Sequence, residues 1–122
     1  MTTVLVIDDE ITIVEMLSAL LEDEGLQVKT AYNGQEGLEH LAKARPSIVV
    51  SDVMMPVLDG LELCRRMQAD PRYQSIPVVL MSALRTAPDL AECHYSALLK
   101  KPFDLDVMLR TITRLLKGNG SS

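Results

Sequence analysis

Five times along this chain a short apolar run gives way to a stretch of helical periodicity, and that alternation restricts the fold more than any other feature. Thr3–Ile7, Gln27–Ala31, Ile48–Asp52, Pro77–Met81 and Ala97–Lys100 read as strands. The first is continuously apolar, as expected of a strand covered on both faces. Ile11–Glu24 reads as a helix in which Val14, Leu17 and Leu21 are spaced by three and four and Ile13 and Leu20 widen the stripe. Gly25 suits a left-handed stop behind it. Asn33 can cap a second helix running to about Ala44, with Leu38, Leu41 and Ala42 inward. Asp59 can cap a third from about Gly60 to Ala69, burying Leu63, Cys64 and Met67. A weaker helix is expected over Thr86–His94, where Pro88 fits only the first turn. Asp104–Lys117 carries the strongest stripe: Leu105, Met108, Leu109, Ile112, Leu115 and Leu116. Alternating βα units with right-handed crossovers demand a parallel sheet with helices on both faces, an α/β fold of one domain over residues 1–117. Residues 118–122 read as a flexible tail. The alternation leaves strand order open; of the common doubly wound orders, 2-1-3-4-5 puts strands 1 and 3 side by side.

In such a sheet the carboxyl ends of the strands share one edge, where ligands bind. Polar residues close four of the five runs: Asp8-Asp9-Glu10, Asp52, Ser82 and, one residue past the fifth strand, Lys101. The three consecutive acids have an ordinary explanation, since a helix N-terminus favours negative charge. Asp52 at the end of another apolar strand changes the balance. Gathered carboxylates repel one another, and a hard divalent cation with oxygen ligands relieves that conflict. Mg²⁺ suits few carboxylates, several waters and a phosphoryl oxygen. Asp52 could cap the amides of the loop Val53–Pro56, or it could act as a nucleophile that forms an acyl phosphate. Lys101 can pair with a phosphoryl oxygen; Ser82 and the backbone amides of Met54 and Ala83 can donate to others. Ser82 as a hydrolase nucleophile finds no support: no histidine is placed to serve it and the G-x-S-x-G elbow is absent.

Net charge is −5, which argues against direct nucleic-acid binding. No apolar stretch reaches membrane-spanning length, and the N-terminus has no basic n-region, so a cytoplasmic protein without a membrane span is expected. Cys64 and Cys93, in separate predicted helices, read as reduced thiols. His40 and His94 lack metal-ligand spacing.

The pieces VLVIDDE (Val4–Glu10), SDVMMPVLDG (Ser51–Gly60), MSA (Met81–Ala83) and KKPF (Lys100–Phe103), in this order and spacing, resemble the receiver domain of two-component response regulators, and the resemblance covers residues 3–117. It implies a flavodoxin-like (βα)5 fold with strand order 2-1-3-4-5. It implies that Asp52 accepts a phosphoryl group from a histidine kinase or a histidine phosphotransfer protein. Asp9, Asp52 and the Met54 carbonyl would hold Mg²⁺, with Asp8 acting through water. Lys101 and Ser82 would contact the phosphoryl group, and Ser82 would reorient on activation. The module would then change its binding to a downstream effector or a fused output domain through the fourth helix, fifth strand and last helix. A homodimer formed on phosphorylation is one form this could take.

Family members usually carry an aromatic residue three positions before the lysine; here it is Leu98. The Gly-Ala-Asp turn before it is replaced by His94-Tyr95-Ser96, and the segment from Ser82 to Lys101 is about a helical turn short. Tyr95 either stands in for the missing ring or is a partly exposed loop tyrosine. Met54 and Leu84, two residues past the acceptor and the hydroxyl, would flank the approach of water and slow self-dephosphorylation. Two rivals remain: a phosphorylation-independent interaction domain keeping the site as a relic, and an aspartate-nucleophile phosphohydrolase of the haloacid-dehalogenase type. The latter resembles D-x-D-x-T on the first strand and uses a cap domain, neither of which is present.

Overall fold

The computed structural model describes residues 2–83 and 93–120. Its elements are β1 (Thr3–Ile7), α1 (Ile11–Asp23), β2 (Gln27–Ala31), α2 (Gly34–Lys43), β3 (Ile48–Asp52), α3 (Gly60–Gln68), β4 (Val78–Ser82), β5 (Ala97–Lys100) and α4 (Leu105–Gly120). The strands form one parallel sheet in the order β2-β1-β3-β4-β5. This is the flavodoxin-like order, with β1 and β3 adjacent at the switch point.

Strand alternation splits the core in two. Leu5, Ile7, Val49 and Leu80 face Leu41 of α2 and Leu63, Cys64 and Met67 of α3. Val4, Val6, Val50, Val79 and Met81 face Val14, Leu17 and Leu21 of α1 and Met108 and Ile112 of α4. β1, β3 and β4 lie inside the sheet and are buried on both faces, whereas β2 at the edge alternates exposed and half-buried residues up to buried Ala31. Local signals set the helix ends. Gly25, at φ 84°, takes the left-handed position after α1; its N–H reaches the Glu22 carbonyl and that of Leu26 reaches Leu21. The Asn33 side chain accepts from the Glu36 N–H at 2.9 Å, and that of Asp59 from the Glu62 N–H at 2.8 Å.

Several boundaries differ from expectation. β4 starts at Val78, because Pro77 cannot donate to the ladder. Ala42 is exposed: Gly37 and Leu41 form the buried line of α2, and Ala42 is about 100° around the helix from Leu41. Leu105 is exposed, so the buried stripe of α4 begins at Met108. α4 continues to Gly120, past its expected end at Lys117 and into the expected tail, since propagating an established helix is far easier than starting one. The helix expected over Thr86–His94 falls largely outside the described residues; Cys93 and His94 are described and are not helical.

One position is strained. Val57 has φ 71°, a region where a β-branched residue is a genuine outlier, and its side chain is 82% exposed. It gains no packing to offset the strain. Val57→Asn should therefore stabilise the fold by about 1 kcal/mol, a rise of about 4 °C in melting temperature. An unchanged or lower midpoint in thermal denaturation would show that the loop is not strained there.

Candidate functional site at the carboxyl edge of the sheet

Backbone bonds fasten the strand tips to one another. The Asp8 N–H donates to the Ala31 carbonyl, Val53 N–H to Met81, and Lys101 N–H to Ser82. Asp52 is in register with Met81, and Ser82 with Lys100. The peptide between Lys101 and Pro102 is cis. Gly60 opens α3 directly against Asp52: a Cβ there would collide with the Asp52 carbonyl oxygen, so only glycine allows this close approach. Buried Ser51 adds a bond from its hydroxyl to the same carbonyl at 3.0 Å.

Asp8, Asp9 and Asp52 come together with carboxylate oxygens within 4.8 Å of one another. Asp8 and Asp52 are buried, and Asp9 is exposed at the rim. Asp8 is no helix cap for α1: one of its oxygens accepts from the Glu10 N–H at 2.9 Å and the other from Lys101. Lys101 Nζ donates to Asp8 Oδ2 at 2.7 Å and to Glu10 Oε1 at 3.1 Å, and lies 3.4 Å from Asp52 Oδ1. Three acids, Asp8, Glu10 and Asp52, thus gather around this ammonium, with the Asp9 carboxylate close to two of them.

The electrostatics follow from that excess. Burial, then the neighbouring Asp8 charge, push the Asp52 carboxyl up to about 6, although Lys101 opposes the rise. Burial also raises Asp8, again against Lys101. Burial pulls the Lys101 ammonium down, but its bonds to Asp8 and Glu10 and the Asp52 charge outweigh that and leave it raised. Three hard oxygen ligands in a cluster short of positive charge fit a divalent cation such as Mg²⁺.

The other expected site residues are placed as follows. Ser82 is buried at the tip of β4 and Ala83 is exposed immediately after it. Met54 is 61% exposed and lines, with Asp9, Met55, Pro56 and Asp59, a shallow hollow of about 310 Å³ beside the carboxylates. Leu84 lies outside the described residues. Leu98 stands apart from the carboxylates: it packs, half-buried with Tyr95, on the core face shared with α2 and α3. Glu10 is the contributor that sequence reasoning missed. Its place in the acidic run was visible, but its reach to Lys101 depends on where the fold brings the two chain segments.

The model of the response regulator receiver domain matches residues 4–113. The response regulator Rre1 of Synechocystis sp. is 36% identical over 124 residues, covering 98% of this chain and 54% of its own length. The response regulator PleD of Caulobacter vibrioides is 42% identical over 118 residues, covering 91% of this chain and 26% of its own. This chain therefore spans about half of one curated relative and about a quarter of the other. Among solved structures, the signal receiver domain of a signal transduction histidine kinase from Syntrophus aciditrophicus matches with a TM-score of 0.92 and 32% identity, covering 100% of this chain and 95% of that one. The chemotaxis response regulator CheY4 of Vibrio cholerae matches with a TM-score of 0.86 and 33% identity, covering 94% and 98%.

Proposed function

This chain belongs to the receiver-domain family of two-component response regulators, phosphoacceptor switches, and on that premise we propose that Asp52 is its acceptor and Lys101 its principal phosphoryl contact. The observation that carries the assignment is the approach of Lys101 Nζ to Asp8, Glu10 and Asp52 together. The donor is a phosphohistidine on a histidine kinase or histidine phosphotransfer protein, met in the cytoplasm; among the described residues no helix is long and apolar enough to cross a membrane.

The reaction is an in-line displacement. A carboxylate oxygen of Asp52 attacks phosphorus, a P–O bond forms, the P–N bond breaks, and the imidazole leaves with the electron pair and takes up a proton. With its carboxyl at about 6, Asp52 is mostly ionised at neutral pH and competent to attack. Lys101 is held in place by Asp8 and Glu10. Glu10 is the most exposed of its three partners, so it is the easiest to release when a phosphoryl oxygen arrives. The Ser82 hydroxyl and the amides of Met54 and Ala83 donate to the remaining oxygens. Mg²⁺, held by Asp9, Asp52 and the Met54 carbonyl, with Asp8 through water, would supply charge neutralisation for the phosphoryl group.

The protein accepts one phosphoryl group and keeps it, rather than turning over substrate. The apolar Met54 side chain at the mouth offers no hydrogen bond to an attacking water, which favours slow self-dephosphorylation. Readout passes through β5, α4 and the connection between β4 and β5 to a downstream effector or fused output domain. With acetyl phosphate and Mg²⁺, the chain should gain a single acid-stable, base-labile phosphoryl group, at a rate at least about tenfold above that in a chelator, equivalent to about 1.4 kcal/mol in barrier. No labelling under either condition would make the site a relic. Sustained release of phosphate from excess donor would point to a hydrolase.

A further inference from the structure

Cys64, on the buried side of α3, and Cys93, four residues before β5, are both buried and belong to the same core cluster. Neither is in a disulfide. One turn along α3 from Cys64, the Gln68 side-chain amide donates to the carbonyl of His94, the residue after Cys93, at 2.6 Å. The two cysteines are therefore neighbours across the core, and the Cys93 thiol acts on that of Cys64, although they come from opposite sides of β4 in the chain. We propose that Cys64 and Cys93 form a reversible intrachain disulfide, a modification site separate from the phosphoacceptor carboxylates, closed by exchange with an oxidised low-molecular-weight disulfide.

The chemistry balances without further reactants. One cysteine thiolate attacks the small disulfide, forming a mixed disulfide and releasing one small thiolate. The second cysteine then attacks the mixed disulfide at the protein sulfur, closes the Cys64–Cys93 bond and releases the second small thiolate. The two protons from the cysteines go to the two departing thiolates. Burial above all pushes the Cys64 thiol up to about 12, and Cys93 is equally buried, so either thiol attacks only once the chain opens and lets it ionise. Burial also means that exchange, in both directions, proceeds through opened or folding chains. The bond would tie α3 to the end of the β4–β5 connection, which leads from Ser82 to β5 and Lys101. It closes a loop of about 30 residues, long enough to restrict the unfolded chain substantially.

The test refolds the reduced, denatured wild-type chain in a buffer of reduced and oxidised glutathione, followed by alkylation and peptide mass mapping. The expected product has lost two hydrogens, carries a Cys64–Cys93 cross-linked peptide, and melts roughly 10 °C above the reduced chain. Dithiothreitol should reverse both changes. Cys64→Ala and Cys93→Ala proteins should show neither. Glutathione adducts or intact thiols in place of the internal bond, or an oxidised chain that melts below the reduced one, would overturn the proposal.

Discussion

The Asp52→Asn protein should take up no phosphoryl group from acetyl phosphate, and without metal it should melt higher than wild type. The first effect follows from removing the nucleophilic oxygen while keeping the shape of the side chain. Lys101 retains Asp8 and Glu10, so its position survives. The second effect follows from the cost of ionising Asp52. Its carboxyl is held at about 6 against an ordinary 3.8, so at pH 7 the folded state carries a charge that it accommodates worse than the unfolded chain does. That difference is worth about 2–3 kcal/mol, of which the lost pairing with Lys101 returns a part. A rise of several degrees is expected. Radiolabel uptake and calorimetry read the two effects separately. Undiminished labelling would place the acceptor elsewhere, and a lower melting temperature would remove the account of Asp52's electrostatics.

The same carboxylates predict an unusual pH dependence. Asp8 and Asp52 are both raised above the ordinary 3.8, so the folded state binds their protons more tightly than the unfolded state. Their contribution to stability is fully present below the unfolded value near 3.8 and is lost as pH rises through the folded value near 6 for Asp52. Glu62 and Asp70 run the other way, lowered by hydrogen bonds to Arg65 and Arg66 and to Arg72, but they lie at the half-exposed surface and titrate below pH 5. Without metal, the melting temperature should fall between pH 5 and pH 7.5. Saturating Mg²⁺ should raise it most at the upper end, because a cation binding only the ionised native cluster stabilises it in proportion to its occupancy. Asp9→Ala should weaken that response. An apo melting temperature that climbs through the same window, or a Mg²⁺ response intact in the Asp9→Ala protein, would contradict this reading of the site.

What the sequence made legible was set by how local each signal is. The strands of the sheet interior were plain because both faces are apolar, and the caps at Asn33 and Asp59 are read from residues three apart. The stop at Gly25 acts on its own backbone. The cluster of Asp8, Asp9, Asp52 and Lys101 was also within reach, since a parallel sheet with right-handed crossovers brings all strand ends to one edge. Features that depend on distant segments were not. Glu10 binds a lysine 91 positions away, and the Gln68 amide on the His94 carbonyl joins α3 to the approach of β5. Ala42 and Leu105 were placed inward because periodicity gives the direction of a stripe but not its width, which is decided by what the neighbouring strand offers.

The central claim is that Asp52 carries the phosphoryl group. Reductive trapping tests it on the unaltered protein: after labelling with acetyl phosphate and Mg²⁺, borohydride converts an aspartyl phosphate to homoserine, which peptide sequencing by mass spectrometry locates. The expected result is homoserine at position 52 alone, in the peptide spanning Ser51–Gly60. Homoserine at position 8 or 9, or phosphate retained on Ser82 with position 52 unchanged, would contradict it.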